Sequence, residues 1–273
     1  MLGTNNVLTT MRVATFYNAT KNAMATSLSR IASGKNFNRP QDDVSYFMRL
    51  QNVRQNRRGY ERIESELDNV GAMMDLAESS GTLIVDNINE MKRLSLEYWG
   101  SEDATTKTAI KNQFDALKDT IADIVDSANY FGGKKLMQDG DLASVILSPS
   151  DMSNKLTISF DAGDVVDATQ LDVTGISLGS PDEATVTAAM DVQYDKAMSY
   201  VTKVSSYIHR IEAQKSVAQS VIDNSTAYES TINDVDDAKE LSRVTENDIR
   251  QQAALSMLAQ ANNSRFGILK LLG

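Results

Sequence analysis

The sequence predicts a mainly α fold, a long antiparallel helical rod or coiled-coil bundle with a small β-hairpin region near residues 140–180 and paired terminal helices. Three observations carry this prediction. Ile63, Leu67, Val70, Met74, Ala77, Gly81, Ile84, Ile88 and Met91 step by four and three without an error, the 3.5-residue repeat of a coiled-coil seam. Only three prolines occur in 273 residues, and each stands at a boundary. One stretch, Lys155 to Phe160, alternates strictly and puts Leu156, Ile158 and Phe160 on one face, as a half-buried strand does.

Taken in order, the chain opens with an amphipathic stripe of Val7, Ala14, Tyr17, Met24, Leu28 and Ile31, interrupted by Thr10 and Lys21. Gly34 reads as the left-handed cap that ends it. Pro40 and the acids Asp42 and Asp43 place the start of the next helix near residue 40, with Pro in the first turn and negative charge at the amino end. Residues 61–97 would form a helix of roughly 55 Å at about 1.5 Å per residue. Ser101-Glu102-Asp103 restarts a helix whose seam is Ile110, Phe114, Leu117, Ile121, Ile124 and Ala128, ended by a loop from Asn129 to Gly133. Pro149 sits in a Ser-Pro-Ser turn. After the strand at Lys155, Gly163 and Asp164 mark a turn, and Leu171-Asp172-Val173 and Ile176-Ser177-Leu178 alternate as two further strands. Two to four short strands are too few for a domain of their own and read as a cap on the helices. Ser180-Pro181-Asp182-Glu183 is a capping box that starts a helix at 181. Its seam is Ala197, Val201, Val204, Ile208 and Ile211, with helical character through Val235. A last stripe, Leu241, Val244, Leu255 and Leu258, is diluted by Asp248 and Gln251. Neither terminal segment has a core of its own, so both are expected to be mobile in the free monomer and to order against each other and against neighbouring copies.

Composition excludes much chemistry. The chain has no Cys and one His, which removes disulfides, thiolate metal sites, cysteine nucleophiles and any two-histidine motif. The start shows no signal-peptide core, and no run of about 18 apolar residues suits a membrane span. The net charge is −10, but residues 1–60 carry +7 while residues 139–183 carry −8. Opposite charges on different parts of one chain suit head-to-tail contact between copies, as well as solvated helix faces.

The remaining chemical candidates are weak. His209 lies on a helix without a partner that the sequence can place, and reads as a semi-exposed surface histidine. Gly132-Gly133-Lys134-Lys135 lacks the spacing of a phosphate loop and reads as a turn. Asp161-Ala162-Gly163-Asp164 lacks the length of a calcium loop. Asp234, Asp236, Asp237 and Glu240 read as a solvated helix face. Arg49, Arg54, Arg57, Arg58 and Arg62, with Tyr46 and Tyr60 among them, could touch nucleic acid, but no binding module accompanies them. No catalytic, cofactor or metal residue is assigned.

Several motifs resemble those of the bacterial flagellins. Ser27-Leu-Ser-Arg-Ile-Ala-Ser-Gly-Lys-Asn-Phe-Asn38 followed by Gln41-Asp-Asp43 is similar to the family's amino-terminal signature. Ile249-Arg-Gln-Gln-Ala253, Ser256-Met-Leu-Ala-Gln-Ala-Asn262 and Ile268-Leu-Lys-Leu-Leu-Gly273 resemble its tail. Asn129-Tyr-Phe-Gly-Gly133 and Asp172 to Leu178 resemble the turn and hairpin of its middle. The resemblance covers nearly the whole chain, in order.

What it implies is a structural subunit of the flagellar filament, secreted unfolded through the flagellar type III export apparatus and not an enzyme. Residues 1–41 and 240–273 would be the terminal helices of the inner filament core, and 42–239 the helical rod with a hairpin insertion at 140–180. The large outer domain of longer flagellins is absent. Implied partners are copies of the chain, other flagellins, an export chaperone, the filament cap and hook-junction proteins, with no nucleic acid, membrane insertion or cofactor. Self-assembly would rest on Val7, Met11, Ala14, Leu28, Ile31, Leu255, Leu258, Ile268, Leu269, Leu271 and Leu272. Two departures stand out. Val44, Ser45, Tyr46 and Phe47 replace the family's small residues. The Toll-like-receptor surface, typically Arg-Val-Arg-Glu-Leu, here reads Glu90, Met91, Lys92, Arg93 and Leu94, which predicts weak or absent receptor activation. Two alternatives remain open, a hook–filament junction protein of the same family and a soluble helical-bundle binding module.

Overall fold

A computed structural model describes residues 2–130, 133–138, 140–161, 171–179 and 182–272, with side chains described from residue 8 to 263 of these. The elements are α1 (Leu2–Ser33), α2 (Val44–Gly100), α3 (Ala104–Ser127), β1 (Asn129–Tyr130), β2 (Lys134–Lys135), β3 (Gly140–Ile146), β4 (Lys155–Phe160), α4 (Glu183–Asn233) and α5 (Asp237–Leu272). The fold is mainly α with two small antiparallel strand pairs. It divides into two compact units, residues 1–55 with 224–273, and residues 56–223; α2 and α4 each contribute to both.

The larger unit is built on the repeating seams. Leu67, Met74, Ala77 and Ile84 of α2 are fully buried, and Val70 is half-buried. Ile110, Phe114 and Ile121 of α3 and Ala197, Val204 and Ile211 of α4 join the same core. α4 runs antiparallel to α2: Lys92 pairs with Asp191, Glu78 accepts from Ser205, and Lys215 pairs with Asp68. At Gly81 the helices approach so closely that an added Cβ would lie 2.9 Å from Val201 and 3.0 Å from Tyr200. Glycine is therefore a packing requirement in the middle of α2, where helix propensity alone disfavours it.

The β region is fastened to α4 by aromatic contacts. Leu156, Ile158 and Phe160 face inward, and the Phe160 ring meets Tyr200 at 5.3 Å and Tyr207 edge-on at 5.6 Å. Tyr207 donates to the Ser159 carbonyl at 2.7 Å, and buried Tyr200 donates to the Leu136 carbonyl at 3.0 Å. Burial holds the Tyr200 phenol protonated far above its ordinary range. At the carboxyl end of α2, Trp99 stands edge-on to Tyr98, 5.4 Å between ring centres.

Several boundaries differ from the sequence reading, each because a different side chain makes the cap. α2 begins at Val44, since Asp43 accepts from the Tyr46 amide at 3.0 Å; Pro40 belongs to the preceding turn. α4 begins at Glu183, since Asp182 accepts from the Thr185 amide at 2.8 Å; Ser180 and Pro181 lie outside the described residues. α4 ends at Asn233, short of Val235. The loop expected at Asn129 instead starts the β1–β2 hairpin. β4 pairs with β3, a strand that the alternation did not reveal. Leu171, Val173, Ile176 and Leu178 are buried as their alternation predicts, but they form no strand. Asp172 accepts from the Gly175 amide at 3.0 Å and folds this stretch into turns. The turn read at Gly163 and Asp164 lies outside the described residues.

Gly81→Val is expected to destabilise the monomer by about 1–3 kcal/mol through overpacking. Urea unfolding measures this, with Gly100→Ala, where nothing lies within 4 Å, as a control near zero.

Candidate assembly surface

The smaller unit is closed where α1 ends and α5 begins. Gly34 has φ of 66° and its amide bonds the Ile31 carbonyl at 3.3 Å, a left-handed stop that lets the chain turn back. Beyond it, the Asn36 amide donates to the Asn233 carbonyl at 2.6 Å and the Val235 amide to the Gly34 carbonyl at 3.2 Å. Asn233, 1% exposed, accepts from the Phe37 amide through its side chain. Lys35 and Asp234 add an ion pair at 2.8 Å. Asp236 then caps α5 by accepting from the Lys239 amide at 3.1 Å.

One turn into α5, Glu240 is buried against α1. Its Oε1 accepts from the Ser27 hydroxyl at 2.8 Å and its Oε2 from Arg243 at 2.8 Å, and Arg30 lies 3.7 Å away. Burial would raise this carboxyl's pKa; the Ser27 hydroxyl, Arg243 and Arg30 outweigh that and hold it below the usual glutamate range. Of the four acids read as a solvated helix face, Glu240 is buried, Asp234 and Asp236 lie in the connection between α4 and α5 as ion-pair partner and cap, and Asp237 is exposed on α5. The sequence carried no signal of the Glu240 burial, because its partner lies 213 residues away.

From this anchor α1 and α5 run antiparallel. The less exposed positions of α1 include Thr10, Val13, Tyr17, Thr20, Met24, Ser27 and Ile31, and those of α5 Glu240, Val244, Asn247, Gln251, Ala254, Leu258 and Ala261, with Ala14, Arg30 and Asp248 beside them. Both sets step by three and four, so the pair is a coiled-coil seam built largely from small and polar residues. This corrects the sequence stripes. Thr10 and Gln251, which interrupt the apolar stripes, lie in the seam, whereas Leu28, Leu241 and Leu255 are exposed. Small seam residues permit close approach, and the Glu240 anchor sets which face turns inward.

Many large apolar side chains nonetheless sit on the outside. Met11 is 65% exposed, Ile249 62% and Leu255 49%, with Leu8, Phe16, Leu28, Leu241 and Met257 also exposed. Ala14, Ile31 and Leu258 are half-buried. The side chains of Val7, Ile268, Leu269, Leu271 and Leu272 lie outside the described residues, their backbones in α1 and α5. Exposed large apolar side chains on a pair whose seam holds many polar residues depart from the usual arrangement of a monomeric helix hairpin, and exposed apolar side chains in number point to an interaction site.

In the larger unit, Met91 and Leu94 are buried in the seam. Arg93 is held between Glu90 at 2.6 Å and Glu97 at 2.9 Å, and Lys92 pairs with Asp191 and lies over the Tyr194 ring. His209 is exposed, 3.5 Å from Glu212. Arg54 pairs with Glu229 at 2.8 Å and Arg57 with Glu61 at 3.5 Å, which neutralises part of the basic stretch. Among the described residues, no group of three or more His, Cys, Asp or Glu could hold a metal, and no helix is long and apolar enough to cross a membrane.

Comparison with known proteins places matches at both ends. Residues 4–140 match the family model of the bacterial flagellin N-terminal helical region, and residues 188–272 that of the C-terminal helical region. A flagellin of Bacillus subtilis is 25% identical over 280 residues, covering 90% of this chain and 91% of that one. A flagellar filament 30.7 kDa core protein of Treponema maltophilum is 25% identical over 267 residues, covering 90% and 91%. A solved structure described as a flagellar hook-associated protein of Vibrio parahaemolyticus superposes with a TM-score of 0.50 at 11% identity, covering 71% of this chain and 97% of that one; that likeness concerns the fold alone.

The depressed pKa of Glu240 makes the α1–α5 pair pH-sensitive. Its contribution is present above the unfolded glutamate value of about 4.3 and is lost as pH falls through the lower folded value. Protection factors of the α1 and α5 amides, taken against the intrinsic exchange rate at each pH, are therefore expected to fall between neutral pH and pH 3, and Glu240→Gln to flatten that dependence.

Proposed function

The chain belongs to the bacterial flagellin family and is a structural subunit of the flagellar filament, and from that premise we propose that it polymerises through the outward faces of α1 and α5. One observation carries this reading. The helix pair exposes Met11, Leu28, Ile249 and Leu255 while its seam holds Thr20, Ser27, Glu240 and Gln251. Such a pair gains little from its own contact and gains most when other copies cover its apolar surface. A contact of this kind that repeats without closing builds a filament.

We assign residues 1–41 and 240–273 to the inner part of the filament and 42–239, with the hairpin insertion, to the part outside it. Val7, Ile268, Leu269, Leu271 and Leu272 are assigned to the same assembly contact on their apolar character in the sequence alone. A weakly held terminal pair also suits a subunit exported unfolded through the flagellar type III apparatus with an export chaperone, to be seated in an extracellular filament between hook-junction proteins and cap. Its work is assembly rather than catalysis, with no cofactor, nucleic acid or membrane insertion.

The segment Glu90 to Leu94 supports a second proposal, that a Toll-like receptor reads this flagellin poorly. Where the family carries a cation, Glu90 stands, and Arg93 is already engaged by Glu90 and Glu97. A receptor contact would have to break these pairs and meet reversed charge, a like-charge arrangement that costs association.

Seeded elongation followed by negative-stain electron microscopy tests the assembly reading. Wild-type monomer is expected to extend filament seeds, and monomer that stays unassembled would overturn the reading. Leu255→Asp is expected to leave a soluble monomer with unchanged circular dichroism, elongating at least about tenfold less, because an unpaired carboxylate in an apolar contact costs more than about 1.4 kcal/mol. Leu258→Asp, on the half-buried side of the pair, is expected to abolish elongation while leaving the monomer soluble and helical; a misfolded product would make it a plain core residue. In receptor reporter cells the wild type is expected to give little response, and Glu90→Arg with Arg93→Glu to raise it. A potency equal to that of an ordinary flagellin would sink the receptor proposal.

A further inference from the structure

Between the last turns of α1 and the segment after Gly34 lies a cleft of about 260 Å³, lined by Thr26, Ser29, Arg30, Asn38, Arg39 and Asp42. Its charges are unevenly matched. The acid nearest Arg30 is Glu240 at 3.7 Å, which already accepts from Ser27 and Arg243 at 2.8 Å. Arg30 Nε is buried without an acceptor, and its contact with Glu240 is the single Nη1 approach at 3.7 Å. Arg39 makes no ion pair among the described residues. Asp42 is the opposing charge on the wall, but its Oδ2 is taken by the Asn38 amide at 2.9 Å and the Arg39 amide at 3.0 Å. The Ser29 hydroxyl has no partner among the described residues, while the Thr26 hydroxyl donates to the Asn22 carbonyl. Two cations and the Ser29 hydroxyl thus line the cleft with one acid, Asp42, whose charge attracts both arginines while its Oδ2 accepts from two backbone amides.

We infer that this cleft binds an oxyanion, a carboxylate or phosphate-class group whose oxygens accept from Arg39, Arg30 and Ser29 together. Arginine suits this role because its planar fork presents several donors to adjacent oxygens. A group seated there ties the segment 35–42 to α1 and so stiffens the chain reversal that leads into α2. Two sources share the chemistry, a free oxyanion in solution and an acidic side chain of a neighbouring copy. The inference stands whether or not the outward faces of α1 and α5 drive polymerisation.

The probe is inorganic phosphate, titrated into full-length monomer held at constant ionic strength with chloride, with amide exchange of residues 34–43 as readout. A saturable slowing confined to that segment is expected in the wild type and in Lys21→Gln, which removes an exposed cation of α1 outside the cleft. Arg39→Gln is expected to weaken binding by about tenfold or more, the loss of one charge-assisted hydrogen bond, with unchanged circular dichroism. A response that never saturates, or one that is equal in Arg39→Gln and wild type, overturns the inference, since phosphate also stiffens proteins non-specifically. Seeded elongation then separates the sources. Phosphate that slows elongation of the wild type, but not of Arg39→Gln, assigns the site to a neighbour's carboxylate; binding without that competition assigns it to the free anion. Failure of the wild type to elongate at all would count against the polymerisation reading and leave the exchange result standing.

Discussion

Everything in the smaller unit depends on one buried carboxylate. Glu240 lies 4% exposed against α1 and is satisfied by a hydroxyl from one helix and a guanidinium from its own. A buried acid with a single set of partners adds little net stability compared with an apolar pair, but any other alignment would strand its charge. It therefore fixes the register in which α1 meets α5, much as one polar residue in a coiled-coil seam fixes pairing. Register in turn decides which side chains face outward. A shift of one residue would carry Leu28 and Leu255 toward the seam and Thr20 and Ala254 away from it.

The two units draw on different physics. In the larger one, fully buried Leu67, Met74, Ile84, Phe114, Phe160 and Tyr200 make an apolar interior of ordinary kind, and removing such surface from water is what chiefly drives a chain to fold. In the smaller one the fully enclosed side chains are few and mostly small or polar, among them Thr20, Ser27, Asn233 and Ala254. The larger unit has a large apolar interior in the monomer, although Leu83, Leu96 and Val192 remain exposed on it, whereas the terminal helix pair encloses few large apolar side chains and exposes many. On the proposed assembly reading, the part that would change surroundings is not the part that holds the apolar interior.

Most of the helical architecture was legible in the sequence because a seam repeating by fours and threes has one physical solution. Ile63 to Met91 could hardly be anything else. Boundaries were less legible. Asp43 and Asp182 took the caps in place of the prolines and serine beside them, since a carboxylate can reach the first free amides and a proline can only fit the turn. The strand β3 escaped notice because Gly140–Ile146 carries no strict alternation, and a bulge near Asp141 shifts its register. Leu171 to Leu178 alternated without forming strands, because burial on one side does not require a ladder partner. The terminal seam is legible only in part. Tyr17, Met24, Ile31, Val244 and Leu258 lie in it as the stripes predict, but threonine, serine and glutamate fill the other positions, and Leu28, Leu241 and Leu255 lie outside it.

The single tryptophan of the chain stands at the far end of α2, edge-on to Tyr98 and within the larger unit. The smaller unit holds only Tyr17, Tyr46 and Tyr228 as phenol chromophores. Intrinsic indole emission is consequently a reporter of one half of the protein. A melting curve recorded at that wavelength describes the loss of the apolar interior and stays silent about the terminal helices, so an optical transition and a far-ultraviolet helical transition need not coincide. Their separation in temperature would be a direct reading of how unequally the two units are held.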